Sequence, residues 1–300
     1  MPRQYDVLVR FSSLFTMAIV SIMIAAKAWA WLASGSAAML GSLTDSLLDI
    51  SASMMSFLVL SYALRPADNE HRFGHGKAEA LAGLGQAAFI SGSACFLAFH
   101  GIERLINPVP LAQSILGVWV SAFAIVCTLL VVAVQQYVVK HTESIAVKAD
   151  SLHYKGDLLL NAAVLVGIYL ASIGYLFADS IFAIGVAIYL LFNCWEIAKE
   201  SANHLMDKEL PDEEKVQLVA TISKHPDVHG VHDLRTRQSG KLKFIQFHIE
   251  LDQTLSLQQA HSISDQVCKK IRTVFGEHID IMVHQDPVSI PEEMCDSQKS

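Results

Sequence analysis

The sequence has no excess of basic residues, no CxxC pair among its cysteines and no stretch that reads as a cleavable leader. Its 22 Lys and Arg against 29 Asp and Glu leave a formal net charge of −7, which argues against a nucleic-acid binder, since that class carries a basic stripe. The five cysteines, Cys95, Cys127, Cys194, Cys268 and Cys295, are scattered without a CxxC pair and outline no disulfide framework. They read as small apolar fillers of helices. The first apolar run is long and ends without a small-residue cleavage site, so it is expected to be retained as a spanning helix rather than removed.

What the chain has in abundance is apolar surface. Of its 300 residues 52% are hydrophobic, and nearly all of the long uncharged runs fall before about Leu205. About 20 apolar residues cross the hydrocarbon of a bilayer, and six spans are expected: 11–33, 36–63, 80–104, 112–139, 145–172 and 178–205. The breaks between them are Ser34-Gly35-Ser36, the charged loop from Arg65 to Lys77, Asn107-Pro108-Val109-Pro110, Lys140-His141-Thr142-Glu143, and Gly174 to Asp179. The polar remainder predicts a second, soluble unit. The expected division is 1–207 as a six-helix transmembrane domain, 208–290 as a cytoplasmic domain and 291–300 as a flexible tail.

An even number of spans puts both termini on one side. Loops on that side carry Arg65, Arg72, Lys77, Lys140 and Lys148, whereas the other side has only Arg104 near a helix end. The positive-inside rule then makes the termini cytoplasmic. In the polar part, Pro211 followed by Asp212, Glu213 and Glu214 starts a helix, and Pro226 marks its end. Val231–Gln238 and Leu242–Leu251 alternate like strands and meet at Ser239-Gly240. Ser256 and Gln259 form a capping box ahead of a second helix, and Ile279–Asp286 is a third strand. The order αββαβ predicts a small open-faced α+β sandwich.

Two clusters break the apolar pattern. Asp45 and Asp49 stand four residues apart in the second span, and His153 and Asp157 repeat that spacing in the fifth. Positions i and i+4 share a helix face, and each ionised side chain at bilayer depth costs roughly 2.5 to 3.5 kcal/mol. Both polar faces must therefore turn into the bundle, where Gly41 and Gly156 allow close helix approach. Three carboxylates and an imidazole suit a four-coordinate Zn²⁺ and other first-row divalent ions. Polar glue between helices and a proton relay are the competing explanations. Four protein ligands leave no open position for an activated water, which favours carrying the ion over using it in hydrolysis.

Asp68, His71 and His75 have a spacing that can close on one ion in the loop after span two. Eight of the thirteen histidines lie from His204 onward. His248, His284 and Asp286 fall on polar strand faces, with His232 opening the neighbouring strand, so a cluster on the sheet surface is expected.

These residues carry a resemblance that covers essentially the whole chain. With Asp45-x3-Asp49, Pro66-Ala67-Asp68 through Phe73-Gly74-His75-Gly76-Lys77-Ala78-Glu79, Asp150-Ser151-Leu152-His153-x3-Asp157, His232 through Gln238, and His284-Gln285-Asp286-Pro287, the sequence resembles the cation diffusion facilitator family. No ligand position departs from its pattern. The resemblance implies that Asp45, Asp49, His153 and Asp157 form a transport site and that Asp68, His71 and His75 form a loop site. It implies a two-metal cytoplasmic cluster of His232, His248, His284 and Asp286, with His261 and the Gln285 backbone in support near a dimer interface.

It further implies a metallochaperone-like tail, a Lys77–Asp207 ionic latch, and a homodimer in a bacterial inner membrane. That dimer would export Zn²⁺, with Fe²⁺ or Cd²⁺ as further substrates, in exchange for protons. A membrane-anchored metal sensor, with the tail cluster as its working part, is the alternative from a different class, and an intramembrane metallohydrolase is a weaker third.

Overall fold

The computed structural model describes residues 2–34, 37–107, 115–173, 177–276 and 278–288. The expected breaks at Gly35-Ser36, Pro108 to Pro110 and Gly174, the start of the fourth span, Cys295 and the tail from 291 onward lie outside them. Six long helices come first: α1 (Pro2–Ser34), α2 (Ala37–Ala63), α3 (Lys77–Ile106), α4 (Ile115–Thr142), α5 (Ile145–Ser172) and α6 (Ala178–Leu205). They are followed by α7 (Asp212–Ile222), β1 (Gly230–Ser239), β2 (Leu242–Leu251), α8 (Leu257–Phe275) and β3 (Ile279–Pro287). The chain divides into two compact units, one running from Arg3 to Asn203 and the other beginning at His204.

Five of the six long helices, α1, α2, α3, α4 and α6, are apolar enough to cross a membrane. The sixth, α5, has the length at 28 residues but carries Lys148, Asp150, Lys155 and Asp157 in its first half. Its composition dictates its position. Residues 144–147, 149–154 and 156 of the α4–α5 corner and α5 are buried. Ile145, Ala149 and Leu152 pack with Ala87, Ile90 and Ala94 of α3 and Leu190, Cys194 and Ile197 of α6. Ala146 and Val147 meet Val9, Leu60 and Val138, and Tyr154 packs against Val20, Val131 and Val132. This helix, with its charges gathered in one half, is thus enclosed by α1, α2, α3, α4 and α6, while Phe96, Phe99, Phe192 and Trp195 point outward, where lipid solvates them without cost.

Small residues make that enclosure possible. A Cβ on Gly156 would stand 2.9 Å from Leu190 Cδ2, and one on Gly83 would stand 2.6 Å from Ile145 Cγ2 and 2.9 Å from Ser201 Oγ. Overpacking of such a contact costs about 1 to 3 kcal/mol. Gly83→Val is therefore expected to lower the thermal unfolding temperature of the detergent-solubilised protein. Gly85→Ala, at a position with nothing within 4 Å of the added carbon, should leave it in place.

The second unit is a three-stranded sheet in the order β1-β2-β3, with β1 antiparallel and β3 parallel to β2. The turn after β1 contains Gly240 at φ +57°, and Asp233 at φ +47° marks an irregularity in the β1–β2 register between His232 and Arg235. Ile245, Phe247, Ile249 and Leu251 of β2 join Leu218 and Ile222 of α7 and Ile263, Val267 and Ile271 of α8 in one core. Both helices thus cover the same face of the sheet. The α7 helix stops at Ile222, short of the expected end at Pro226, with Ser223 donating its N–H to the Val219 carbonyl. Ser256 and Gln259 make the expected capping box at the start of α8.

Candidate metal centres

In the helical unit α2 brings Asp49 to α5, where His153 and Asp157 follow each other by one turn. His153 Nε2 lies 3.1 Å from Asp49 Oδ1 and 3.8 Å from Asp157 Oδ2. One donor atom from each of the three residues falls within 4.8 Å of the other two. The imidazole is buried, whereas both carboxylates keep partial exposure, so the group is reachable by an ion. Phe89 and Tyr154 bracket the His153 ring edge-on at 6.2 and 5.2 Å between centroids. Asp45 stands one turn earlier on α2, exposed and outside this group of three.

Two charged residues to which the sequence reading gave no role sit beside the group. Lys27, in the middle of α1, donates from Nζ to Ser46 Oγ at 2.6 Å and to the Ser42 carbonyl at 3.2 Å. Asp150, one turn before His153, is fully enclosed by neutral donors. Ser53 Oγ at 3.0 Å and Gln86 Nε2 at 2.8 Å reach its Oδ1, and Gln135 Nε2 reaches its Oδ2 at 2.6 Å. Ser53 also bonds the Tyr154 hydroxyl at 2.8 Å, and Gln135 Nε2 is 3.2 Å from Thr16 Oγ1. A charge taken out of water needs such partners. The available signal was Lys27, Gln86 and the Gln135-Gln136 pair standing inside apolar runs.

The α2–α3 loop brings Asp68, His71 and His75 together, again with donor atoms within 4.8 Å. Asp68 Oδ1 accepts from the backbone N–H groups of His71 at 2.7 Å and Glu70 at 3.0 Å. His75 Nε2 stands 3.3 Å from Asp68 Oδ2, and its Nδ1 is buried without a hydrogen-bond partner among the described residues. Gly74 at φ +80° makes the turn that allows this. A fixed carboxylate flanked by two imidazoles is a donor set that fits a divalent ion.

The N–H of His71, followed by that of Glu70, holds the Asp68 carboxyl below the usual carboxylate range, and the facing imidazoles act in the same direction. A depressed acid stays charged as pH falls through that range, so what Asp68 contributes is present at neutrality and lost only in stronger acid. In zinc titrations of the full chain, Asp68→Asn is expected to weaken loop binding at pH 7 by at least about tenfold. At one fixed zinc concentration the weakened site should empty at a higher pH than the parent site.

On the open face of the sheet, His232 of β1, His248 of β2 and Asp286 of β3 form the third group. The ladder aligns His232 with His248 and His248 with His284. Asp286 is the shared centre: Oδ2 lies 2.8 Å from His248 Nδ1 and 3.2 Å from His232 Nε2, and Oδ1 lies 3.1 Å from His284 Nε2. Asp233 Oδ2, turned toward the group by the irregularity in β1, is 3.6 Å from His248 Nε2. Glu250 Oε1 is 3.4 Å from His232 Nδ1. Strand alternation signals Glu250, but nothing in the sequence signals Asp233. Three imidazoles around one carboxylate, with two more acids at the edge, fit zinc-like ions and offer enough donors for more than one.

The Gln285 backbone runs between His284 and Asp286 on β3, while the His261 ring and the Gln285 side chain lie away from the group. His261 is exposed on α8, 3.9 Å from Asp265. The Gln285 side chain turns to the helix-covered face and donates to Ser264 Oγ at 2.7 Å. Lys77 opens α3 in the first unit. Asp207 belongs to the second, where Arg237 Nη1 lies 3.4 Å from its Oδ1.

Residues 13–206 match the cation efflux transmembrane domain, and residues 210–288 match the cation efflux protein cytoplasmic domain. The chain is 47% identical over 287 residues to the cation-efflux pump FieF of Shewanella oneidensis, covering 96% of this chain and 97% of that one. It is 44% identical over 290 residues to the cation-efflux pump FieF of Citrobacter koseri, covering 97% and 96%. Among solved structures, the metal-bound C-terminal domain of the CzcD transporter from Thermotoga maritima matches 28% of this chain and 100% of that one, at 26% identity and a TM-score of 0.25.

Proposed function

The chain belongs to the cation efflux family, and from that premise we propose that it exports Zn²⁺ from the cytoplasm in exchange for protons, with Fe²⁺ and Cd²⁺ as further substrates. The observation that carries this reading is the convergence of Asp49, His153 and Asp157 inside the membrane-crossing unit, with donor atoms within 4.8 Å. Charged groups at that depth are costly and mark ion pathways. A proton and a divalent ion compete for the same imidazole and carboxylates. A site that meets the cytoplasm in one state and the far side in the other therefore exchanges one for the other, whichever gradient is larger. Asp45, on the same face of α2, completes the ligand set in a bound state.

The other assignments follow the same reading. Residues 1–207 form the transport domain and 208–290 the cytoplasmic domain, with both termini in the cytoplasm of a bacterial inner membrane. The protein works as a homodimer. Metals on the sheet face brace that dimer, with His261 and the Gln285 backbone supporting, and the loop group of Asp68, His71 and His75 takes a further ion. Lys77 and Asp207 latch membrane and tail domains together. An exposed pair of this kind contributes under about 1 kcal/mol, so the latch matters through repetition in the dimer.

Reconstituted vesicles with an imposed pH gradient test the exchange. Zinc added on one side should drive protons from the other side toward it, at a rate that scales with protein. Zinc bound by the tail with no proton movement would instead assign the protein to sensing.

A further inference from the structure

Lys27 is an ammonium in the middle of an apolar helix, a location that is costly unless the charge is used. Its Nζ is fixed by Ser46 Oγ and the Ser42 carbonyl. On α2, Ser42, Asp45, Ser46 and Asp49 stand at i, i+3, i+4 and i+7 and therefore share one face. The ammonium consequently lies over the same helix surface that presents the acids, and its charge interacts with those of Asp49, Asp157 and Asp45. It is tied by neutral oxygens rather than by any single carboxylate, so it remains in place whether or not the acids hold a cation.

Charge counting gives this placement a consequence. Asp45, Asp49 and Asp157 sum to three negative charges with His153 neutral. Lys27 leaves two, which a divalent ion cancels. A monovalent ion would leave the loaded site negative and a trivalent ion would leave it positive, and either residue of charge is penalised in a low-dielectric interior.

We propose that Lys27 is a specificity-determining residue of the transport site: a built-in cation that matches the acidic cluster to divalent ions and keeps their binding weak enough for release. The inference rests on the transport-site reading above. The lysine contributes repulsion toward the cargo. Removing its charge should therefore tighten zinc binding and slow zinc departure, whereas loosening a merely structural contact between α1 and α2 would weaken binding.

The test uses the full-length protein in lipid nanodiscs, with the membrane-site component of zinc binding isolated as the part lost in Asp157→Ala. Lys27→Gln keeps a donor for Ser42 and Ser46 without the charge, and Lys27→Arg keeps the charge. Lys27→Gln is expected to bind zinc roughly tenfold more tightly at that site and to lower both KM and kcat of zinc flux in vesicles. Terbium(III), which matches a cluster of three net negative charges, should compete with zinc better than it does in the parent. Lys27→Arg should return all three measures to near parent values.

Unchanged or weaker zinc affinity in Lys27→Gln, with tail-site zinc and elution volume intact, overturns the proposal. Lys27→Met supplies the same test should the glutamine variant not insert. If Asp157→Ala removes no zinc component at all, the transport-site reading itself fails, a result distinct from failure of the Lys27 role.

Discussion

Asp157→Ala is expected to abolish zinc-driven proton movement in vesicles while the protein still inserts, dimerises and binds zinc on its tail. Asp157 Oδ2 lies 3.8 Å from His153 Nε2, and with Asp49 the three residues supply donor atoms within 4.8 Å. Loss of one leaves the site, even with Asp45 joining it, a ligand short of the four that strip the water from a divalent ion. The fold should survive because the side chain is only half-buried and shares its site with Asp49 and Asp45, so its removal relieves like-charge repulsion as it gives up the His153 contact.

Asp49→Ala should behave alike, as it takes the 3.1 Å partner of His153. Asp150→Asn is an informative comparison because it changes an acid on the same helix that belongs to none of the three candidate metal groups, and zinc binding should persist there. Zinc-driven flux at the parent rate in Asp157→Ala would sink the three-residue site. Flux absent from parent and variant alike, with the tail still loaded, would move the protein to the sensing class.

His248→Ala is expected to lower tail zinc affinity by at least about a hundredfold, the upper end of what loss of even a supporting partner of a metal ligand does. The dimer should dissociate at higher protein concentration as a result. His248 is central to the sheet-face group. It bonds Asp286 at 2.8 Å, approaches Asp233 at 3.6 Å, and stacks its ring 4.5 Å from His284 and 5.2 Å from His232.

Its neighbours in sequence, Phe247 and Ile249, point to the other face and belong to the core with α7 and α8. Truncation on the open face removes no core packing, so the circular dichroism of the tail should be retained. Zinc at the membrane site should also be retained, since its ligands come from α2 and α5. Measuring zinc stoichiometry and sedimentation equilibrium on the same sample separates the two effects. A dimer of parent strength with the tail zinc gone would contradict the bracing role given to that metal.

Much of this architecture was legible because bilayer and sheet impose simple periods. Apolar runs of about 20 residues and their polar breaks located the six long helices, although α1 extends back to Pro2, well before its apolar run begins at about residue 11. Helix geometry turns polar side chains outward without ending the hydrogen-bonded ladder, so hydropathy marks the membrane and not the helix end. Period-two alternation assigned Phe247 inward and His248 outward, and the capping box at Ser256 placed the start of α8.

Spacing alone put His153 and Asp157 on one face, Asp45 and Asp49 on another, and Asp68 within reach of His71 and His75. Those are statements about neighbours in sequence, and local geometry determines them.

What the tertiary structure decided is which faces meet. The rotation of α2 against α5 brings Asp49, and not Asp45, within 3.1 Å of His153. The tilt of α1 carries Lys27 over the acidic face of α2. Ser53, Gln86 and Gln135 from three helices close around Asp150, and the irregularity at Asp233 turns an acid toward His248. None of these arises from a repeat in the chain. The angle at which one helix or strand sits against another is set by the summed packing of side chains such as Leu190 against Gly156 and Ile145 against Gly83, and such contacts join residues far apart in sequence.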